Sequence, residues 1–371
     1  MKNTLQTLLT QHIDDYRQKH GLSFDQSRAV TRLMACRTQA LGGHTQMCPN
    51  GHVQGMWYNS CKHRACPQCC GLPSERWLQK IISVLLDCPH HHMIWTLPSE
   101  LHGLWRFNRV LMSDLLFQAV QYTLQTFSQD KRYLGASPGV MSTLHTWGRD
   151  LSLHPHLHCL VTHGGVSTSG EWVKPKKRVL FPQEPLMMVY RGKLLALVRA
   201  ALLAKEMRLP APLQSLINLL NKLGRKDWVV HCCKRYEHGK GVANYLARYV
   251  RGGPFNNSQL VNVTDKQVTF SYQSHVSHKR EILRLPVDTF ISRWLEHVPQ
   301  SGKALVRYCG LYSSASRDKL NQAREYHQQA PVSLPQLVSW QTYLSQWTEP
   351  RCEVCGCLLH HQEGELIRHA A

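Results

Sequence analysis

Acidic residues are scarce in this chain: 24 Asp and Glu stand against 44 Lys and Arg, a formal net charge of +20 before any of the 23 histidines is protonated. That excess argues against an enzyme that must draw small cations to its surface and points to a polyanionic partner. Long hydrophobic runs are missing too; the longest, Leu194 to Ala204, is interrupted by Arg199 and falls short of a membrane span. Met1 to Asp15 mixes its apolar residues with Gln, Thr, His and Asp and carries no export-signal pattern. The expectation is a soluble, cytoplasmic protein without membrane contact. There is no internal repeat, no low-complexity tract and no Gly-x4-Gly-Lys-Ser/Thr loop, so unwinding driven by a bound nucleotide triphosphate is not built in. Apolar residues, by contrast, make up 43% of 371, too many for a disordered chain and enough to bury the core of two or three domains.

Fourteen cysteines in a large chain without an export signal read as metal ligands or small core residues in place of disulfides. Cys88, Cys159, Cys232, Cys233 and Cys309 are scattered through apolar stretches and are expected in the core. The others cluster. Cys48-Pro-Asn-Gly-His52 and Cys66-Pro-Gln-Cys69 are two ligand pairs on short turns, the pattern a tetrahedral structural Zn²⁺ requires. Cys36, His44, Cys61 and His63 lie near enough to form a second site or to supply alternative ligands. Near the other end, Cys352-Glu-Val-Cys355-Gly-Cys357, followed by His360 and His361, is a candidate for a further zinc knuckle without a distal pair to complete it. A zinc deaminase needs His-x-Glu upstream of Pro-Cys-x-x-Cys, and here His361-Gln-Glu363 lies far downstream, which argues against that class.

Periodicity predicts helices over Thr4–His20 and Phe24–Gln39, another from Pro73 to about Leu86, then a strand over His92–Leu97 and a helix from Ser99 to Ser128. Strands are expected over Gly139–Trp147 and His156–Thr162, joined by a tight connection at Gly148 to Asp150. Next come a helix from Leu186 to Leu203, a strand over Trp228–Cys233, a helix over Val242–Val250, and a hairpin of Leu260–Val263 with Val268–Tyr272. Strands mixed with helices in this way predict an α+β fold. The expected division is a helical and zinc-binding module at 1–87, a sheet domain at 88–300 and a helical C-terminal region at 301–371.

Two small patterns carry chemistry. In His154-Pro-His156-Leu-His158, residues two apart on a strand share a face, so His156 and His158 can share one metal ion. In Asn244-Tyr245-Leu-Ala-Arg248-Tyr249-Val-Arg251, the tyrosines stand one helical turn apart, with Arg248 and Arg251 adjacent. A phenol attacks a phosphodiester poorly unless the phosphate is polarised, and a divalent ion held by two imidazoles would polarise it. Taken in order, the Cys48–Cys69 module with Asn59-Ser60-Cys61, His92-Met-Ile-Trp-Thr-Leu-Pro98, His156-Leu-His158, Trp228-Val-Val230 and Tyr245-Leu-Ala-Arg-Tyr249 resemble the rolling-circle transposases of bacterial insertion sequences. These are HUH-type enzymes with two tyrosines, and the resemblance runs from about Cys36 to Leu311.

The resemblance implies an antiparallel HUH-endonuclease sheet with flanking helices, Mg²⁺ or Mn²⁺ on His156 and His158, and Tyr245 and Tyr249 as nucleophiles forming a 5′-phosphotyrosine and a free 3′-OH. A third metal ligand is expected, with His92 as the candidate. It further implies single-stranded and hairpin transposon-end DNA and target DNA as partners, a host helicase, and action at the bacterial nucleoid. Lys176, Lys177 and Arg178, Lys234 and Arg235, and Arg248 and Arg251 are candidate phosphate contacts, as are Arg191 with Lys193 and Lys279, Arg280 and Arg284. A plasmid replication initiator or relaxase with the same chemistry, and a non-catalytic zinc-finger DNA-binding regulator, are the competing expectations.

Overall fold

The computed structural model describes residues 4–175, 179–250, 253–274, 277–345 and 351–362. Two helices, α1 (Leu5–His20) and α2 (Phe24–Met34), open it. Leu5, Leu8, Leu9 and Ile13 recur at helical spacing and are buried; Thr4 caps α1, and Ser23 with Gln26 forms a capping box on α2. Helix α2 stops at Met34, before the expected Gln39, as the chain turns through Arg37 at φ 56° and carries Cys36 toward other cysteines. A hairpin follows, β1 (Gly43–Met47) and β2 (Val53–Tyr58), then α3 (Gly71–Val84).

The middle of the chain runs β3 (His90–Thr96), α4 (His102–Phe107), α5 (Arg109–Gln129), β4 (Gly139–Trp147), β5 (Leu153–Thr162), the small pair β6 (Gly165–Val166) and β7 (Trp172–Val173), α6 (Gln183–Leu203), α7 (Leu213–Leu223), β8 (Val230–Tyr236) and α8 (Gly239–Val250). Beyond it lie β9 (Leu260–Val263), β10 (Gln267–Gln273), β11 (Arg280–Pro286), α9 (Val287–Glu296), β12 (Val306–Gly310), α10 (Arg317–Tyr326), α11 (Trp340–Ser345) and β13 (His360–Gln362). The helix expected from Ser99 to Ser128 is broken at Asn108, where φ is −135° and the side-chain amide donates to the carbonyls of Leu104 and Arg208. The hairpin expected at 260–272 gains a third strand, β11, and α7 was not anticipated.

Five strands build the central sheet in the order β12-β4-β5-β3-β8, every neighbouring pair antiparallel. This is the mixed α+β architecture with antiparallel sheets and flanking helices that the sequence predicts. One face of the sheet, with Met93, Trp95, Val140, Leu144, Leu157, Cys159 and Val161, packs against α5 and α6 in the largest core. The opposite face carries Met141 and Leu160, which pack with α3 and with Ala243, Leu246 and Ala247 of α8. A third core joins α1 and α2 to Phe255, Phe270 and α9.

Packing crosses the three-part division expected from the sequence. The core of the first two helices is completed by residues 255–298, and β12, beyond position 300, is an edge strand of the central sheet. The last strand, β13, pairs with β1 almost the whole chain away. Helical pairs with one apolar stripe need a partner surface, and here α9 and β10 provide it.

Candidate active site and metal centres

Hairpin register assembles the central cluster. His145 on β4 lies opposite His156 on β5, and His158 stands two residues further on the same face. Their ligand atoms lie within 4.8 Å of one another, and all three side chains are buried. His92 on β3 is paired with Leu160, diagonal to His158, and its Nε2 is 2.8 Å from His158 Nδ1. So the structure brings His156 and His158 together with His145 in the place expected for His92, which instead backs His158. The signal for His145 was the tight connection itself: an antiparallel hairpin turning at Gly148 to Ser152 sets position 145 across from 156.

The hydrogen bonds define how these rings present themselves. His156 donates from Nδ1 to the His154 carbonyl at 2.6 Å, which leaves the lone pair on Nε2. His156 Nε2 and His158 Nε2 face each other at 3.1 Å. That separation is close to the roughly 3.0 Å expected between adjacent ligands of an octahedral ion bound at about 2.1 Å. With Nε2 of His158 as a ligand, its Nδ1 carries the proton and donates to His92, which stands where a carboxylate, carbonyl or water more often orients a metal-binding imidazole. Burial, then the rings of His156 and His92, holds His145 far below the ordinary imidazole range; burial, then His145 and its neighbours, does the same for His158. Burial, then His231, brings His92 down to about 4. Neutral imidazoles are the form that binds metal. Three imidazole nitrogens without a carboxylate suit a first-row transition ion better than Mg²⁺, which prefers oxygen ligands and keeps its waters.

Helix α8 covers the same face of the sheet. Its first residue, Gly239, lies so close to His90 that an added Cβ would come within 2.9 Å of the ring, and its Leu246 packs with Met141 and Leu160. The helix therefore passes over this face from His90 on β3 to Met141 on β4 and Leu160 on β5, Leu160 being two residues from His158, and its last turn carries position 249. Tyr245 and Tyr249 lie on this helix, but their side chains, with those of Lys234 and Arg248, are outside the described residues, as are Lys176, Lys177, Arg178 and Arg251.

The cysteines sort into two centres. Cys36, Cys61, Cys66 and Cys69 form one; Cys48, His52, Cys352 and Cys355 form the other. Cys48 and His52 thus do not meet Cys66 and Cys69. The physical reason is β1–β2: Cys48 and His52 occupy the tip of the hairpin, and six residues of strand carry a tip about 20 Å from its base. His44 packs near Trp340, and His63 accepts from the Ala65 amide; neither joins a centre. In the first centre, Cys36 Sγ and Cys69 Sγ are 3.3 Å apart, Cys61 and Cys69 3.6 Å, and Cys66 and Cys36 3.7 Å. A sulfur tetrahedron around zinc has edges of about 3.8 Å at a bond of about 2.3 Å, so the four thiols fit that ion. Within this mutually hydrogen-bonded group, Cys61 and then Cys66 bring the Cys36 thiol down to about 7 and Cys36 and Cys61 push Cys69 far below the thiol range, while hydrogen bonds with Cys36 first push Cys61 and Cys66 up.

Of the basic candidates in the described residues, Arg235 is paired with Glu237 at 2.8 Å, Arg191 donates to the Lys226 carbonyl, and Lys193 lies over the ring of Tyr122. Arg280 donates to Ser271 on β10. None of the helices in the described residues is long and apolar enough to cross a membrane.

Residues 139–319 match a family model described as a putative transposase, and residues 8–97 match a transposase zinc-binding domain. The chain is 33% identical over 320 residues to a putative transposase, y4qJ, of Sinorhizobium fredii, covering 84% of this chain and 80% of that protein. It is 30% identical over 309 residues to the transposase for insertion sequence element IS801 of Pseudomonas savastanoi pv. phaseolicola, covering 80% of this chain and 72% of that one. No solved structure matches.

Proposed function

Because this chain belongs to the IS91/IS801 family of insertion-sequence transposases, we propose that it nicks and rejoins single-stranded transposon-end DNA through a 5′-phosphotyrosine, for rolling-circle transposition. The observation that carries this reading is the cluster of His145, His156 and His158 on the sheet face that α8, the helix of Tyr245 and Tyr249, also covers. A divalent ion held by the three imidazoles would polarise the scissile phosphate. His92 orients His158, the His154 carbonyl orients His156, and burial keeps the rings neutral. The hydroxyl of Tyr245 or Tyr249 attacks phosphorus and gives up its proton. The bond to the 3′ oxygen breaks, that oxygen leaves as a hydroxyl after taking a proton, and the 5′-phosphate stays esterified to tyrosine. Attack by another 3′-OH reverses the step and joins a new strand, with no nucleotide triphosphate consumed.

Zinc held by Cys36, Cys61, Cys66 and Cys69 is structural on this reading, tying α2 to the loop before α3. Lys176, Lys177, Arg178, Lys234, Arg235, Arg248 and Arg251 would grip the strand, so binding should weaken steeply with salt. A host helicase would supply the single strand, at the bacterial nucleoid in the cytoplasm. The test is a covalent protein–DNA adduct on a denaturing gel, from labelled single-stranded DNA bearing element ends, with Mn²⁺ or Mg²⁺. The adduct should vanish in Tyr245→Phe/Tyr249→Phe and in His156→Ala. An adduct that survives the double tyrosine change would sink the assignment of nucleophiles, and tight binding with no adduct at all would leave a regulator.

A further inference from the structure

The second cysteine centre draws half of its ligands from each end of the chain. Cys48 and His52 come from the tip of the β1–β2 hairpin, and Cys352 and Cys355 from a segment 300 residues later. Cys48 Sγ is 3.4 Å from His52 Nδ1 and 3.6 Å from Cys355 Sγ, and Cys352 Sγ is 3.7 Å from His52 Nδ1. Edges of about 3.6 Å between sulfur and nitrogen and about 3.8 Å between sulfurs are those of a tetrahedral zinc ion. Both halves are tight turns with glycine in the left-handed region, Gly51 at φ 81° and Gly356 at φ 69°. In each, an amide closes the loop onto the ligand cysteine: Gly51 donates to the Cys48 carbonyl and Gly356 to the Cys352 carbonyl, both at 2.9 Å.

The second line of argument is what the ribbon lacks. Strands β13, β1 and β2 form a three-stranded sheet, with β13 paired to β1 through Thr45 with Gln362, Gln46 with His361 and Met47 with His360. No side chain of β1 or β2 is buried; across the described residues 41–60 and 351–359, only Cys48 and Cys352 are. A sheet of three short strands without a buried apolar core is marginal in water, and peripheral contacts such as His44 against Trp340, Arg37 over Trp57 and the Glu353 amide on Gln54 are weak beside a metal ion bound by four ligands.

We propose that Cys48, His52, Cys352 and Cys355 form a second structural zinc site that clasps the C-terminal strand onto the N-terminal hairpin. The clasp makes the C-terminal segment an obligatory part of the zinc-binding module, which the matched stretch of residues 8–97 does not include. It does not depend on the strand-transfer chemistry.

The test uses the full chain and two readouts. Elemental analysis of purified protein should find one zinc fewer per chain in Cys352→Ser/Cys355→Ser than in the unaltered protein, while His52→Cys, which keeps four ligands, retains it. Hydrogen exchange should find the amides of Met47 and Thr45, facing β13, protected in the unaltered protein and exposed both in the double variant and after mild chelation. An unchanged zinc content in the double variant would overturn the site. Amides that stay protected after the zinc is lost would overturn the clasp. Chelation of the unaltered protein gives the second answer even if the variant folds poorly, and adduct formation is not needed for either.

Discussion

Strand β5 sends Leu157, Cys159 and Val161 into the packing against α5 and α6, and His156 and His158 to the opposite face, where His145 and His92 join them. The two faces share the same backbone, so they share its rigidity, but one is held by apolar contact and the other by a network of imidazoles. A site built on the middle strand of a five-stranded sheet inherits positions fixed by the core behind it. The cost is desolvation: rings that would be charged or wet on a surface are held neutral and dry. If the two faces divide labour in this way, changes on one should move stability and changes on the other should move chemistry.

The largest effect is expected on the histidine face. His156→Ala removes a ligand whose ion would supply several kcal/mol of transition-state stabilisation, so adduct formation should fall by at least about a thousandfold. The thermal midpoint should shift by no more than a few degrees, since no apolar packing is lost. An unfolded His156→Ala protein would break the comparison, because the face would then be structural as well. Next comes the mirror experiment. Leu157, fully buried beside it, should cost about 2–5 kcal/mol of urea-unfolding stability as Leu157→Ala. The fraction that stays folded should keep its Mn²⁺ affinity; an affinity loss as large as that from His156→Ala would mean the faces are not separable.

Much of this division could be read from the residues alone, because it rests on a period of two. The alternation in His156-Leu157-His158 placed two histidines on one face, and the spacing of Tyr245 and Tyr249 placed both on one helix. What could not be read depended on register and reach. His92 was the third partner expected, and it is the turn at Gly148 to Ser152, setting position 145 against 156, that brings His145 in. The four-ligand zinc site expected from Cys48, His52, Cys66 and Cys69 divided because β1 and β2 act as an arm, not a loop, and the arm's tip is completed from Cys352 and Cys355. Pairing across 300 residues leaves no local trace in sequence.

A third test uses pH. His90 begins β3, is fully buried, and is satisfied as a neutral ring: Nδ1 donates to the Cys88 carbonyl at 2.8 Å, and Nε2 accepts from the Tyr312 hydroxyl at 2.7 Å. Burial brings it down to about 4 from an ordinary 6.5. Between those values the unfolded chain binds the proton and the folded chain does not. Its contribution is therefore complete above pH 6.5 and is lost as pH falls toward 4, up to about 3 kcal/mol. Urea unfolding at pH 7.5 and pH 5 should find the protein weaker in acid, and His90→Gln should flatten that slope. A slope untouched by the substitution would assign acid sensitivity to other buried rings, such as His297, also held at about 4 by burial.

The smallest expected effect is the sharpest test of how the histidine face works. His92 hydrogen-bonds the cluster at His158, Nε2 to Nδ1 at 2.8 Å. If it were a ligand, His92→Gln would cost as much as His156→Ala. As a positioning residue it holds one tautomer and one ring angle of His158, and loss of such a partner costs about 10–100-fold in metal affinity. A glutamine carbonyl can still accept from His158 Nδ1, so His92→Gln should fall near the low end of that range and His92→Ala near the high end. Mn²⁺ titration of the folded protein reads this directly, and saturating Mn²⁺ should restore adduct formation in both variants. Rescue separates orientation from ligation, because excess metal can compensate for a misaligned imidazole but not for a missing one.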